Sequence, residues 1–139
     1  MTSQLKVDNL TGRATAGSIN VTSEGTSVTT NLQQGLLKSW IKPAADLASI
    51  SDSFNVSSLD DDGTGDGGVH ITNDMSSANY VILGLTQDGG TSTFTRQADI
   101  TDGTQAAGTY DFEVYAISSS QDRTNTDAQA FLATAGDLA

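Results

Sequence analysis

The sequence predicts an all-β fold: an antiparallel β-sandwich or jelly-roll-like domain with an N-terminal β-strand arm. Three observations predict it. Apolar and polar residues alternate with a period of two in short segments, as they do in strands with one face in water. Gly, Asp, Asn, Ser and Thr separate these segments and are typical of turns. Stretches with helical spacing are almost absent, and short strands at regular intervals favour a sandwich or a barrel.

The stretch Ser53–Thr72 has the pattern of a β-hairpin. Phe54 and Val56 share one face of its first strand, and Val69 and Ile71 repeat the alternation after a connection rich in Asp and Gly. This connection is longer than the tightest hairpin turns, so it predicts a bulge or a wide loop between the two strands.

Two further stretches predict core strands. Tyr80–Thr86 is apolar on both faces, which is typical of a central strand that is covered on both sides. Tyr110–Ile117 has the clearest alternation in the chain, and it places Tyr110, Phe112, Val114 and Ala116 in the core. Weaker strand patterns occupy Leu5–Asp8, Ser18–Thr22, Gly35–Ile41, Ser92–Arg96 and Ala128–Thr134.

The stretch Leu32–Ile41 supports two interpretations. Its leucines have helical spacing and follow Asn31, a residue type that caps helices. Gly35 and the alternation after it favour a strand instead, which Pro43 ends. We predict the strand, with a short helical turn before it as the alternative.

The sequence predicts two segments with different roles, residues 1–31 and residues 32–139. The first segment has only two apolar positions in each of its weak strands, too few for a core of its own. We therefore expect an arm that pairs with a neighbouring subunit or lies along another protein's surface, while residues 32–139 form the β-sandwich. The interface candidates are Leu5, Val7, Ile19, Val21 and Trp40.

Composition excludes several classes of function. The 139 residues, of which 36% are hydrophobic, suit one domain with a modest core or a protein that completes its core as an oligomer. A net charge of −11 argues against binding to nucleic acid or to an anionic membrane surface, because both need a basic patch. The absence of cysteine excludes disulfides and thiolate metal sites. The first twelve residues lack the apolar core of a signal peptide.

An acidic cluster in the central hairpin is the one candidate metal site. Asp60, Asp62 and Asp66 lie among glycines, and Ca²⁺ prefers many oxygen ligands. If an EF-hand loop began at Asp60, its final acidic ligand would fall on Ile71, so the match fails. Turn chemistry alone accounts for Asp and Gly at these positions. We predict no metal and no cofactor, with calcium at the three aspartates as the alternative.

No catalytic residue is predicted. His70 is the single histidine, and the alternation of its strand places it on the outer face. The sequence contains no serine in a nucleophile-elbow context, no phosphate-binding loop and no dinucleotide fingerprint. Trp40, flanked by Lys38 and Lys42, is a candidate sugar platform or interface anchor, although a tryptophan beside a strand end more often belongs to the core.

Six pieces of the chain carry a family resemblance. They are Leu5–Gly12, Asn31–Trp40, Asp52–Ser58, Asp62–Asp66, Met75–Tyr80 and the ending Gly136–Ala139. In this order they resemble small virion proteins of marine tailed bacteriophages, over most of the chain.

The resemblance implies a non-enzymatic protein of the virion surface, made in the host cytoplasm. It also implies a homo-oligomer, with a homotrimer as the family-level expectation, and the major capsid protein or another virion protein as partner. The short chain and its N-terminal arm favour a capsid decoration or cement protein that binds the outer head surface and stabilises the shell. The alternative is a tail-fibre or receptor-binding module that contacts the host surface.

Overall fold

A computed structural model of the chain describes residues 4–13, 19–22, 25, 27–87 and 94–139. The described residues contain eleven strands and no helix, which confirms the predicted all-β fold. The strands form antiparallel sheets of two, five and four strands. The chain divides into two compact units, Met1–Leu36 and Leu37–Ala139.

The strands are numbered in chain order. They are β1 (Asn20–Thr22), β2 (Thr29–Asn31), β3 (Leu37–Pro43), β4 (Ile50–Phe54), β5 (Val56–Gly63), β6 (Asp66–Ile71), β7 (Val81–Thr86), β8 (Thr95–Ile100), β9 (Thr109–Ile117), β10 (Arg123–Asn125) and β11 (Ala130–Ala135).

The first unit contains the two-stranded sheet of β1 and β2, in which Val21 lies opposite Thr30. Ser18, where the first of these strands was expected to begin, lies outside the described residues. The predicted strand Leu5–Asp8 is wrong, because none of the described residues pairs with this stretch, and a strand needs a hydrogen-bonded neighbour.

A turn at residues 32–35 precedes β3, so both structures considered for this stretch are present. The side-chain Oδ1 of Asn31 accepts a hydrogen bond from the backbone N–H of Gln34 (3.1 Å), as a helix cap would. The backbone N–H of Gly35 donates to the carbonyl of Asn31 (3.2 Å), which ties the turn to the end of β2. The strand then begins at Leu37 and ends at Pro43.

In the second unit, β9 is the central strand of the five-stranded sheet. One of its edges pairs with β8, and the other pairs with β6 along residues 109–113 and with β10 along residues 115–117. The far side of β6 pairs with β5. The predicted alternation of this strand is confirmed at Tyr110, Phe112 and Val114, which are fully buried, whereas Ala116 is only partly buried.

The four-stranded sheet has the order β4-β3-β11-β7. Ile41 lies opposite Leu132, and both side chains are buried in the core. The hydroxyls of Ser39 and Thr134 share a hydrogen bond of 2.7 Å, which satisfies two fully buried polar groups.

The two sheets enclose one hydrophobic core, so the second unit is a β-sandwich. The four-stranded sheet contributes Ile41, Ala130 and Leu132, and the five-stranded sheet contributes Val69, Ile71, Tyr110, Phe112 and Val114. Removal of these apolar side chains from water is the main force that holds the sheets together.

Asn55 carries the chain from one sheet to the other. It follows Phe54, the last residue of β4, and precedes Val56, the first residue of β5, and its φ of +56° is a left-handed conformation that Asn tolerates better than most residues. Its side-chain amide donates to the carbonyl of Lys38 (2.9 Å), and its Oδ1 accepts from the backbone N–H of Asn73 (2.9 Å). The continuous strand predicted for this stretch is therefore interrupted at a corner of the sandwich.

The hairpin of β5 and β6 is tighter than the sequence predicted. Only Thr64 and Gly65 lie between the two strands, so the wide loop is wrong, whereas register shifts along β5 confirm a bulge. Asp and Gly residues continue the ladder instead of forming a loop, and Asp60, for example, lies opposite Gly68.

Candidate functional site

The outer face of the four-stranded sheet carries a row of apolar side chains. In register across the sheet, β7, β11, β3 and β4 contribute Leu83, Ala133, Trp40 and Phe54. Side chains alternate along a strand, so this row points away from the core. It crosses the full width of the sheet.

Neighbouring residues widen the row into a patch. Phe131 lies opposite Leu85, and Ala135 lies opposite Val81. The exposed fractions are 55% for Phe54, 58% for Val81, 56% for Leu83, 72% for Leu85 and 38% for Phe131. We term this patch, which consists of Trp40, Phe54, Val81, Leu83, Leu85 and Phe131, the apolar face.

The prediction that Tyr80–Thr86 is a central, covered strand is wrong. β7 lies at the edge of its sheet, with Ile82 packed against the core and its odd-numbered neighbours exposed. Alternation tells which residues share a face, but not what covers that face. The apolar residues on the outer side of β7 were therefore the sequence signal for this patch. Of its six residues, only Trp40 was among the predicted interface candidates.

A shallow groove of about 380 Å³ runs along the apolar face. Its outer lining includes Trp40, Leu83, Leu85 and Phe131. Lys42 lies at its side with its ammonium nitrogen 5.8 Å from the centre of the Phe131 ring, a distance at which a cation and an aromatic ring attract. The groove suits an apolar side chain from a second molecule.

The opposite side of the sandwich has the contrary character. The outer surface of the five-stranded sheet carries Asp60, Asp62, Asp66, Asp99, Asp111 and Glu113, which we term the acidic face. Gly68 lies next to the carboxylates of Asp62 and Asp111 and the Cβ of Asp60, and its lack of a side chain leaves room for these groups.

Carboxylates on the acidic face repel one another. Asp66 lies opposite Glu113, and like charges in this position destabilise a sheet. Burial raises the pKa of Asp66, and the charges of Glu113, Asp62 and Asp111 raise it further. Arg123 offsets part of this repulsion through its ion pair with Glu113.

His70 lies on the acidic face, where alternation placed it. Its Nε2 is 2.7 Å from Oδ2 of Asp60, and the two side chains are 41% and 55% exposed. An exposed pair of this kind contributes little to stability. The pair stands on an open strand surface, and neither residue lines the groove on the opposite sheet.

The three aspartates considered as calcium ligands are distributed over two strands. Asp60 and Asp62 belong to β5, and Asp66 belongs to β6. The carboxylate of Asp60 is hydrogen-bonded to the ring of His70. Among the residues that the structure describes, no group of three or more histidine or acidic side chains is arranged to hold a metal ion.

The other interface candidates lie in the first unit. Leu5, Val7 and Val21 are 80%, 56% and 54% exposed, and Ile19 is partly buried. These side chains offer apolar area to another molecule, and their role as contacts stays a prediction.

In the part of the chain that the structure covers, no helix has the length and apolar character needed to span a bilayer. No protein-family model, curated protein or solved structure matches the chain. The two unlike faces of the sandwich are therefore the features that bear most directly on function.

Proposed function

We propose that this protein is a non-enzymatic structural protein of a bacteriophage virion, a capsid decoration or cement protein that binds the outer surface of the head and stabilises the shell. The observation that carries the proposal is the contrast between the apolar face and the acidic face. Such a domain suits assembly, because one side packs against protein while the other stays in water.

In this proposal the first unit attaches the protein to the major capsid protein or to another virion protein. Its exposed Leu5 and Val7 supply apolar contact area. The four charged residues of Met1–Leu36 cancel, so Leu37–Ala139 carries the whole net charge of −11. A neutral attachment unit and a strongly acidic second unit suit many copies on one shell, because a high net charge limits aggregation of the acidic units.

The sequence resemblance to small phage virion proteins supports the same role, and it implies a homo-oligomer, with a trimer as the family-level expectation. The all-β sandwich is compatible with a decoration protein and with the alternative, a module at the tip of a tail fibre that contacts the host surface.

Labelling of intact virions with an antibody to the protein separates these roles. We expect label spread over the head. Label confined to the tail would instead support the fibre module, and absence of the protein from purified virions would exclude both roles.

The attachment role can be tested by binding the purified protein to shells that lack it. We expect Leu5→Glu to reduce the bound amount, because a carboxylate in an apolar contact loses its hydration without gaining a partner. Gln4→Glu is the matched control, since it adds the same charge at an exposed neighbouring position without removing an apolar side chain. Equal losses in the two variants would point to charge repulsion rather than to an apolar contact.

A further inference from the structure

We propose that the apolar face is the contact between two copies of this chain, which pair face to face through their four-stranded sheets. This pairing is a property of the second unit and holds whether or not the protein belongs to a virion. The pairing assigns a role to the side chains of the apolar face, which are exposed to water in the single chain although they are as apolar as those of the core.

The first argument is area. The exposed fractions of the five exposed residues of the apolar face, all but Trp40, amount to roughly 500 Å² of apolar surface, near the upper end for the largest patch on an ordinary monomer. One partner in a standard interface contributes about 800 Å². Ala133 and Ala135 of β11 are partly exposed and add to the face, as does the pair of Lys42 and Asp52, which lie opposite each other on β3 and β4.

The second argument is charge. The strands of the four-stranded sheet carry three charged residues, Lys38, Lys42 and Asp52, so this sheet is close to neutral in a unit of net charge −11. Stacked sheets lie about 10 Å apart, so a face-to-face pair holds its two acidic faces about 30 Å apart, well beyond the screening length of about 8 Å at physiological salt. Contact through the five-stranded sheets would instead press carboxylates against carboxylates.

The third argument is geometry. Two copies that present the same patch are related by a two-fold axis. An axis parallel to the strands, between β3 and β11, places β4 of one copy over β7 of the other. Phe54, which shares a row across the sheet with Leu83, then lies above Leu83 of the other copy, at the groove of the apolar face. A trimer built through this face alone would need two different patches on each copy.

Sedimentation equilibrium over a range of concentrations tests the pairing, with Leu85→Glu as the disrupting variant and Phe94→Glu as its control. Leu85 lies on the apolar face, whereas Phe94 lies just before β8 of the other sheet. Both side chains are exposed in the single chain, at 72% and 46%, so both variants keep their fold, and circular dichroism checks this. We expect a monomer–dimer equilibrium for the unmodified chain. Leu85→Glu should raise the Kd roughly tenfold or more, because it buries a carboxylate without a partner. Phe94→Glu adds the same charge outside the apolar face and should leave the Kd unchanged.

Cross-linking tests the geometry, since the chain contains no cysteine of its own. A short bifunctional thiol cross-linker added to an equimolar mixture of Phe54→Cys and Leu83→Cys should give the mixed dimer faster than either variant alone gives its own dimer. No preference for the mixed dimer would overturn the pairing of β4 with β7.

Three results would overturn the proposal as a whole. They are a chain that stays monomeric at all concentrations, an oligomer that Leu85→Glu leaves intact, and an oligomer that Phe94→Glu dissociates. If the unmodified chain is monomeric while Leu85→Glu loses binding to capsid shells, the shell occupies the apolar face. The proposed function would then stand and the self-pairing would fall.

Discussion

Two tyrosines of the core, Tyr80 and Tyr110, differ in hydrogen bonding. The hydroxyl of Tyr80 donates to the carbonyl oxygens of Ala106 (2.9 Å) and Thr109 (3.1 Å). The hydroxyl of Tyr110 is fully buried, and no described residue accepts or donates a hydrogen bond there. An unpaired buried polar group costs roughly 1–3 kcal/mol, whereas a hydrogen bond that is made contributes about 1 kcal/mol net.

The same substitution should therefore have opposite effects at the two positions. We expect Tyr110→Phe to raise the free energy of unfolding by about 1 kcal/mol and Tyr80→Phe to lower it by about 1–2 kcal/mol. Urea unfolding at pH 7 measures both, and each variant serves as the control for the other. A loss of stability in Tyr110→Phe would contradict the unpaired state of its hydroxyl.

Burial of these tyrosines also predicts how stability depends on pH. Burial raises the pKa of Tyr80 from 10.0 to about 12, and it raises the pKa of Tyr110 in the same direction. The folded protein therefore holds protons that the unfolded chain releases, so this contribution is complete below pH 10 and is lost as pH rises toward 12. We expect the free energy of unfolding to fall over this range, and tyrosine absorbance near 295 nm should show delayed ionisation in the folded state. Ionisation of all three tyrosines near pH 10 would contradict the prediction.

The burial of single residues was predictable from the sequence where apolar and polar residues alternate along a strand. Alternation identified the buried positions of β9, but it gave no signal for Leu47 or Met75, which lie outside the named strands and are just as buried. Leu47 reaches the core through a left-handed backbone angle, and Met75 through an isolated bridge to Leu138. Both placements depend on chain reversals that hydrophobic periodicity does not encode.

At the scale of elements, the turn between β5 and β6 is held by contacts with the end of the sheet. The backbone N–H of Gly65 donates to the Asp127 carboxylate (2.8 Å), and its carbonyl accepts from the N–H of Val114 (2.7 Å). Its φ is +71°, and a Cβ there would stand 2.3 Å from the carbonyl oxygen of Val114 and 2.6 Å from the N of Thr126. The turn therefore requires glycine for both its angle and its space.

Gly65→Ala should destabilise the protein by more than the angle alone accounts for. We expect about 3 kcal/mol or more, because backbone atoms must move. Gly103→Ala is the matched control: its φ is +76° but a Cβ there meets nothing within 4 Å, so it should lose only about 1–2 kcal/mol. Thermal unfolding of both variants measures the difference, and equal losses would show that the contacts around Gly65 yield easily.

The sequence predicted the apolar elements better than the polar ones. None of the strands predicted from the sequence includes β10, because its three residues, Arg123–Asn125, are polar and exposed and show no alternation. It pairs with β9 because β9 extends beyond β6 and leaves a free edge there. Likewise the corner at Asn55 follows from the side-chain hydrogen bonds it makes to Lys38 and Asn73, which are distant in sequence.

For the whole molecule, the charge distribution predicts how pairing responds to salt. The apolar contact has little charge of its own, while each second unit carries the net charge of −11. Raising NaCl from about 0.05 to 0.5 M shortens the screening length and should strengthen the dimer several-fold. An interface made of ion pairs would weaken under the same change. Sedimentation equilibrium at the two salt concentrations distinguishes the two kinds of contact, and a dimer that weakens with salt would argue against the apolar face.

The contrast between the apolar and acidic faces also gives the second unit the character of a surfactant. At an air–water boundary we expect the sheet that carries Leu83 and Leu85 to leave the water, while the carboxylates of the opposite sheet stay hydrated. Thin films for electron microscopy should then contain particles in one dominant orientation, and a mild detergent should restore the missing views. Because adsorption and pairing compete for the same face, the bias should be strongest in dilute samples, in which more of the protein is monomeric.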